Sequence, residues 1–114
     1  MKMQHVTIRT QKLEESIKFY EEIVGLKIVN DMRKMGGNIV FLANGEGETC
    51  IELIDSPEGY EGKGISIGFH TDDVEAYHAK LEEACLNPTP MISPNPHVKF
   101  FFVKDPNGLE IQFI

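Results

Sequence analysis

The feature that most constrains the fold of this chain is that it repeats itself. At an offset of 61, "HVTIRTQKLEE" (5–15) lies over "SIGFHTDDVEA" (66–76). Val6 then falls on Ile67, Ile8 on Phe69, Thr10 on Thr71 and Leu13 on Val74. At an offset of 60, "CIELI" (50–54) lies over "EIQFI" (110–114), with Ile51 on Ile111 and Leu53 on Phe113. Identity is low, so the match rests on element order and on which positions are apolar. Self-similarity at a fixed period marks a duplicated structural unit.

Each copy reads as β-α-β-β-β. In "MQHVTIRT", Val6 and Ile8 alternate with His5, Thr7 and Arg9, the pattern of a half-buried strand. "KLEESIKFYEEIVG" spaces Leu13, Ile17, Tyr20 and Val24 as on one helix face, with Gly25 placed to end it. "LKIVNDMR", "NIVFLAN" and "TCIELID" are three further strands, separated by glycine-containing turns. "SPEGYEGKG" (56–64) reads as a linker, after which the order returns. "ISIGFHT" is a strand and "DDVEAYHAKLEEACL" a helix, with Asp72 as N-cap and Glu75 three residues on. "PTPMIS", "VKFFFVKD" and "LEIQFI" supply three strands, the last two joined by the tight turn "DPNG". A module alone leaves one sheet face uncovered, so two are expected to pack. The expected architecture is a single α+β domain: module one 1–55, linker 56–64, module two 65–114.

Bulk properties narrow the function. Of the 114 residues, 41% are hydrophobic and 25% charged, the balance of a globular protein. A net charge of −7 argues against nucleic acid and anionic membranes as partners. No apolar run approaches the ~20 residues of a membrane span, and "MKMQHVTIRT" lacks the apolar core of a signal peptide. Cys50 and Cys85 have no C-x-x-C spacing; they read as reduced, mostly buried thiols of a cytoplasmic protein.

Three stretches carry a family resemblance across essentially the whole chain. "SIKFYEEIVGL" (16–26) resembles the S-x-x-F-Y-x-x-x-x-G-L signature of the first helix in the vicinal oxygen chelate superfamily. "HTDDVEAYHAKL" is similar to that superfamily's second helix entry, and "DPNGLEIQF" to its closing turn and strand. The superfamily includes glyoxalase I, extradiol dioxygenases, methylmalonyl-CoA epimerase, fosfomycin-resistance proteins and bleomycin-binding proteins. The resemblance implies two paired βαβββ modules forming a cupped eight-stranded half-barrel, and a homodimer whose groove is completed by both subunits. A common fold does not fix function, which is argued at the site.

Metal-using members take four ligands from the first and last strands of the two modules. The repeat locates those positions here as His5 with Ser66, and Glu52 with Gln112. His5 and Glu52 are therefore candidate ligands, with Gln112 as a third through its carbonyl oxygen, and Glu52 is the candidate catalytic base. One divalent ion (Ni²⁺, Zn²⁺, Mn²⁺ or Co²⁺) would be held weakly, or none at all. Ser66 is a poor ligand because its hydroxyl is neutral, and Gln112 cannot act as a general base. The two-His-one-carboxylate pattern of non-haem iron dioxygenases is missing. His70 lies four residues beyond Ser66, about 13 Å along a strand, too far to share an ion with His5. The repeat pairs it instead with Arg9, which in glyoxalase I relatives helps bind a carboxylate of glutathione. Arg9, Ser66 and His70 are thus expected to contact a small-molecule ligand. Of the consecutive Phe100, Phe101 and Phe102, at least one faces the groove, and Phe101 is assigned to ligand contact. Tyr60 and its glycine-rich surroundings are a candidate gate.

Three functions are open at this point. The first is a lactoylglutathione lyase-like, metal-dependent lyase or isomerase acting on a small α-oxo or hemithioacetal compound. The second is metal-free sequestration of a small molecule, as in bleomycin resistance. The third is an epimerase with Glu52 as base.

Overall fold

The alternating stretch becomes strand β1 (His5–Thr10), with Ile8 and Thr10 buried and His5, Thr7 and Arg9 on the open face. Helix α1 (Leu13–Glu22) follows and buries Ile17, Phe19 and Tyr20. Thr10 fixes the corner between them. Its hydroxyl accepts the Lys12 N–H at 2.8 Å and lies 3.3 Å from the Ser16 hydroxyl, so two buried polar side chains are satisfied locally. Strand β2 (Lys27–Asp31), a 3₁₀ turn (Met32–Met35), β3 (Ile39–Ala43) and β4 (Cys50–Asp55) complete a mixed sheet. Its order is β1-β4-β3-β2, with β1 parallel to β4 and the other pairs antiparallel.

The second half builds the same unit from β5 (Ser66–Phe69), α2 (Val74–Glu83), β6 (Ile92–Asn95), β7 (Val98–Lys104) and β8 (Glu110–Phe113). Its sheet order is β5-β8-β7-β6, again with the first and last strands parallel. The structure is a computed structural model that describes residues 1–114, and its two units are Met1–Glu61 and Gly62–Ile114. The repeat offsets hold in three dimensions. Val6, Thr7 and Ile8 lie beside Ile51, Glu52 and Leu53. Ile67, Gly68 and Phe69 lie beside Ile111, Gln112 and Phe113. Position by position, Thr7 and Glu52 therefore correspond to Gly68 and Gln112.

Three local expectations are corrected. The cap of α2 is Asp73, whose carboxylate accepts the Ala76 N–H at 3.0 Å, and not Asp72. The strand expected over "PTPMIS" begins only at Ile92, because Pro88 and Pro90 have no N–H to give a ladder. Thr89 alone bridges to β7: its N–H donates to the Phe102 carbonyl at 2.9 Å, and its hydroxyl accepts the Phe102 N–H at 2.9 Å. Cys85 is exposed just beyond α2, at φ 61°, rather than buried within the helix; Cys50 is half-buried, and both are free thiols. No helix is long and apolar enough to cross a membrane.

Candidate functional site

Pleating of the first sheet puts its polar side chains on the face opposite α1. Glu52 stands at the centre of β4, flanked by Thr7 on β1 and Phe41 on β3. Its side chain is 12% exposed, and His5 Nε2 lies 3.4 Å from Glu52 Oε1. The Thr7 hydroxyl donates to the same Oε1. Both contacts converge on one oxygen, which leaves Oε2 without a protein partner. Phe41 meets the His5 ring edge-on at 5.9 Å between centroids and limits its orientation. Thr7 and Phe41 were not singled out in the sequence. The signal for Thr7 was present, since it shares its parity with His5 and Arg9.

An open groove of about 520 Å³ runs along this face, lined by Thr7, Arg9, Glu52, Glu58 and Tyr60 among others. Its far wall includes Glu58, Gly59 and Tyr60 of the candidate gate. Ser56 N–H donates to the Thr10 carbonyl at 3.0 Å, and Tyr60 N–H to the Arg9 carbonyl at 2.8 Å. The Gln11 carboxamide donates to the Pro57 carbonyl. A Cβ on Gly59 would come within 3.2 Å of Gln11 N, a tight approach just past the end of β1. These bonds hold residues 56–60 against the end of β1.

The second unit repeats the framework with different chemistry. Ser66 and Gln112 lie on the face opposite α2, and Gly68 replaces the threonine. A Cβ on Gly68 would stand 2.9 Å from Gln112 Oε1, so the missing side chain is the notch that receives this carboxamide. Phe102 flanks Gln112 on β7. Phe101 points the other way. It is fully buried, 4.9 Å from the His78 ring and 5.5 Å from Phe113. The ligand-contact assignment of Phe101 is therefore withdrawn: it is a core residue under α2, and Phe100 and Phe102 take the open face. His70 lies past the end of β5, 82% exposed and 3.3 Å from Asp72 Oδ1. It lines a separate cleft with Val74, His97 and Ile114, and is not gathered with Ser66 or Gln112.

The donor set can be tested against a metal ion. Two ligands each about 2.0–2.1 Å from one ion stand roughly 3 Å apart, so the 3.4 Å between His5 and Glu52 suits neighbouring ligands. The corresponding pair Ser66 and Gln112 offers only neutral oxygens. No group of three or more His, Cys, Asp or Glu side chains is placed to hold an ion. The residues fit half of a four-ligand site and do not fit the whole.

Residues 2–113 match the family model described as Glyoxalase/Bleomycin resistance protein/Dioxygenase superfamily. The chain is 32% identical to the uncharacterised protein YwbC of Bacillus subtilis strain 168, over 98% of this chain and 95% of that one. It is 28% identical to a lactoylglutathione lyase of Haemophilus influenzae, over 100% of this chain and 92% of the enzyme. Among solved structures it is similar to TnmS3, an antibiotic binding protein from Streptomyces sp. CB03234. That match has a TM-score of 0.77 and 25% identity, covering 99% of this chain and 93% of the other.

Proposed function

This chain belongs to the glyoxalase/bleomycin resistance protein/dioxygenase superfamily, and from that premise we propose that it is a glyoxalase-like isomerase or lyase acting on a small α-oxo or hemithioacetal compound. The observation that carries the reading is Glu52: a recessed carboxylate on the floor of a groove, with Oε1 engaged and Oε2 open. With a hemithioacetal in the groove, Oε2 takes the proton from the carbon bearing sulfur. The electron pair passes to the adjacent carbonyl oxygen, which takes up the proton of the neighbouring hydroxyl; the proton held by Glu52 returns to that second carbon as the first carbon becomes the thioester carbonyl. The product is an α-hydroxy thioester, an isomer of the substrate, so no oxidant or reductant is needed. Arg9, which lines the same groove as Glu52, is proposed as a ligand contact, and the homodimer and cytoplasmic location are part of the proposal. A divalent ion on His5 and Glu52 would polarise the carbonyl; the proton transfer itself is assigned to Glu52.

The second reading is sequestration of a small molecule without turnover. It is favoured by Ser66 and Gln112, which give the second unit no ionisable group at the matching positions, and by the similarity to TnmS3. One experiment separates the two. Protein purified without chelators or a metal-affinity tag is assayed for metal content, and for isomerase activity on the methylglyoxal–glutathione hemithioacetal with and without added Ni²⁺ or Zn²⁺. Activity that falls at least 100-fold in Glu52→Gln supports the isomerase. Metal lost in both His5→Ala and Glu52→Ala supports an ion at that pair. A wild type that turns over neither this adduct nor those of small thiols overturns the first reading in favour of the second.

A further inference from the structure

The wall of the groove in the first unit carries charges that the protein itself does not use. Arg9 on β1 and Glu58 on the 56–60 segment both line it, and neither closes an ion pair. With Glu52 on the floor, two carboxylates and one guanidinium face the groove, an acidic excess in a chain already at −7. Tyr60, half-buried next to Glu58 and Gly59, adds an aromatic ring to the same wall. A carboxylate and an aromatic ring lining one groove are a setting for an ammonium group, through charge and through the negative face of the ring. The backbone under Glu58 is fixed by the hydrogen bonds to β1, and its own N–H donates to the Ser56 hydroxyl at 3.1 Å.

We propose that Glu58 is a specificity-determining residue that selects ligands bearing an ammonium group, so that the substrates are α-oxo adducts of cationic or zwitterionic thiols in preference to anionic ones. In a zwitterion, the ammonium faces Glu58 and the carboxylate faces Arg9. This rests on the isomerase reading for its kinetic arm and stands without it for binding.

The test uses the full chain and hemithioacetals of methylglyoxal with four small thiols differing mainly in charge: 2-(dimethylamino)ethanethiol, N,N-dimethylcysteine, 2-mercaptoethanol and 3-mercaptopropionate, the tertiary amines being chosen because they cannot close to thiazolidines. The expected kcat/KM for the 2-(dimethylamino)ethanethiol adduct exceeds that for the 3-mercaptopropionate adduct at least tenfold at low salt. Glu58→Gln brings the ratio to within about twofold, Glu58→Lys inverts it, and added salt compresses it. Rates independent of charge, or a preference that survives Glu58→Gln, overturn the proposal. If no adduct is turned over, the isomerase reading fails and the four adducts are compared by the rise in Tm they produce. The same order, abolished in Glu58→Gln, upholds the selection; no rise, or a rise independent of charge, overturns it.

Discussion

At the scale of single residues, the decisive contrast is Thr7 with Glu52 against Gly68 with Gln112. The same two register positions hold an anion by a hydroxyl in one unit and make room for a neutral amide in the other. A hydroxyl donating to a partly recessed carboxylate contributes about 1 kcal/mol. Thr7→Val keeps the shape and removes the donor. It is expected to lower unfolding stability by about that amount in urea denaturation, and to reduce isomerase turnover by loosening Glu52. Unchanged stability would mean that the hydroxyl does not hold the carboxylate in solution.

At the scale of elements, two features depend on how strands meet helices. Phe101 faces α2 and Phe102 the open face, so their alanine variants should differ sharply. Phe101→Ala creates a cavity in the core and should cost about 3–5 kcal/mol, whereas Phe102→Ala should cost clearly less, both read from the urea midpoint. Equal losses would contradict the assignment of faces. The second feature is the turn after β2, where Arg33 Nε and Nη2 hold both oxygens of Asp31 at 2.9 and 2.8 Å and Nη1 reaches Glu14 on α1. The hydrogen bonds from Arg33 pull the Asp31 carboxyl down to about 2 from an ordinary 3.8. Between those values the unfolded chain binds more protons than the folded one, so stability rises with pH across that interval. The contribution of Asp31 is thus present above about pH 4 and is lost as pH falls through about 2. Asp31→Asn should flatten the stability profile over this window and lower stability at pH 7, measured by denaturation midpoints between pH 2 and 7.

At the scale of the whole molecule, charge governs what the chain will meet. With a net charge of −7 at pH 7 and an isoelectric point near 5.0, it should not be retained by duplex DNA at physiological salt, and its solubility should pass through a minimum close to pH 5. Strong retention on DNA would contradict this.

The sequence alone determined the duplication, the β-α-β-β-β order and the pairing of His5 with Ser66 and of Glu52 with Gln112. These follow from periodicities of 2 and 3.6 and from parity along a strand, which are local and hence written in the chain. It misjudged Phe101, because three consecutive phenylalanines carry no internal sign of which face is buried; only α2 packing on β7 decides that. It left open what residues 56–60 pack on, because glycine and proline announce a turn without saying what the turn lies against. The side-by-side alignment of β1 and β4 brings Thr7 to Glu52 across 45 residues of sequence. That contact, like the placing of Glu58 and Arg9 along one groove, is a long-range packing outcome, and tertiary structure alone decided it.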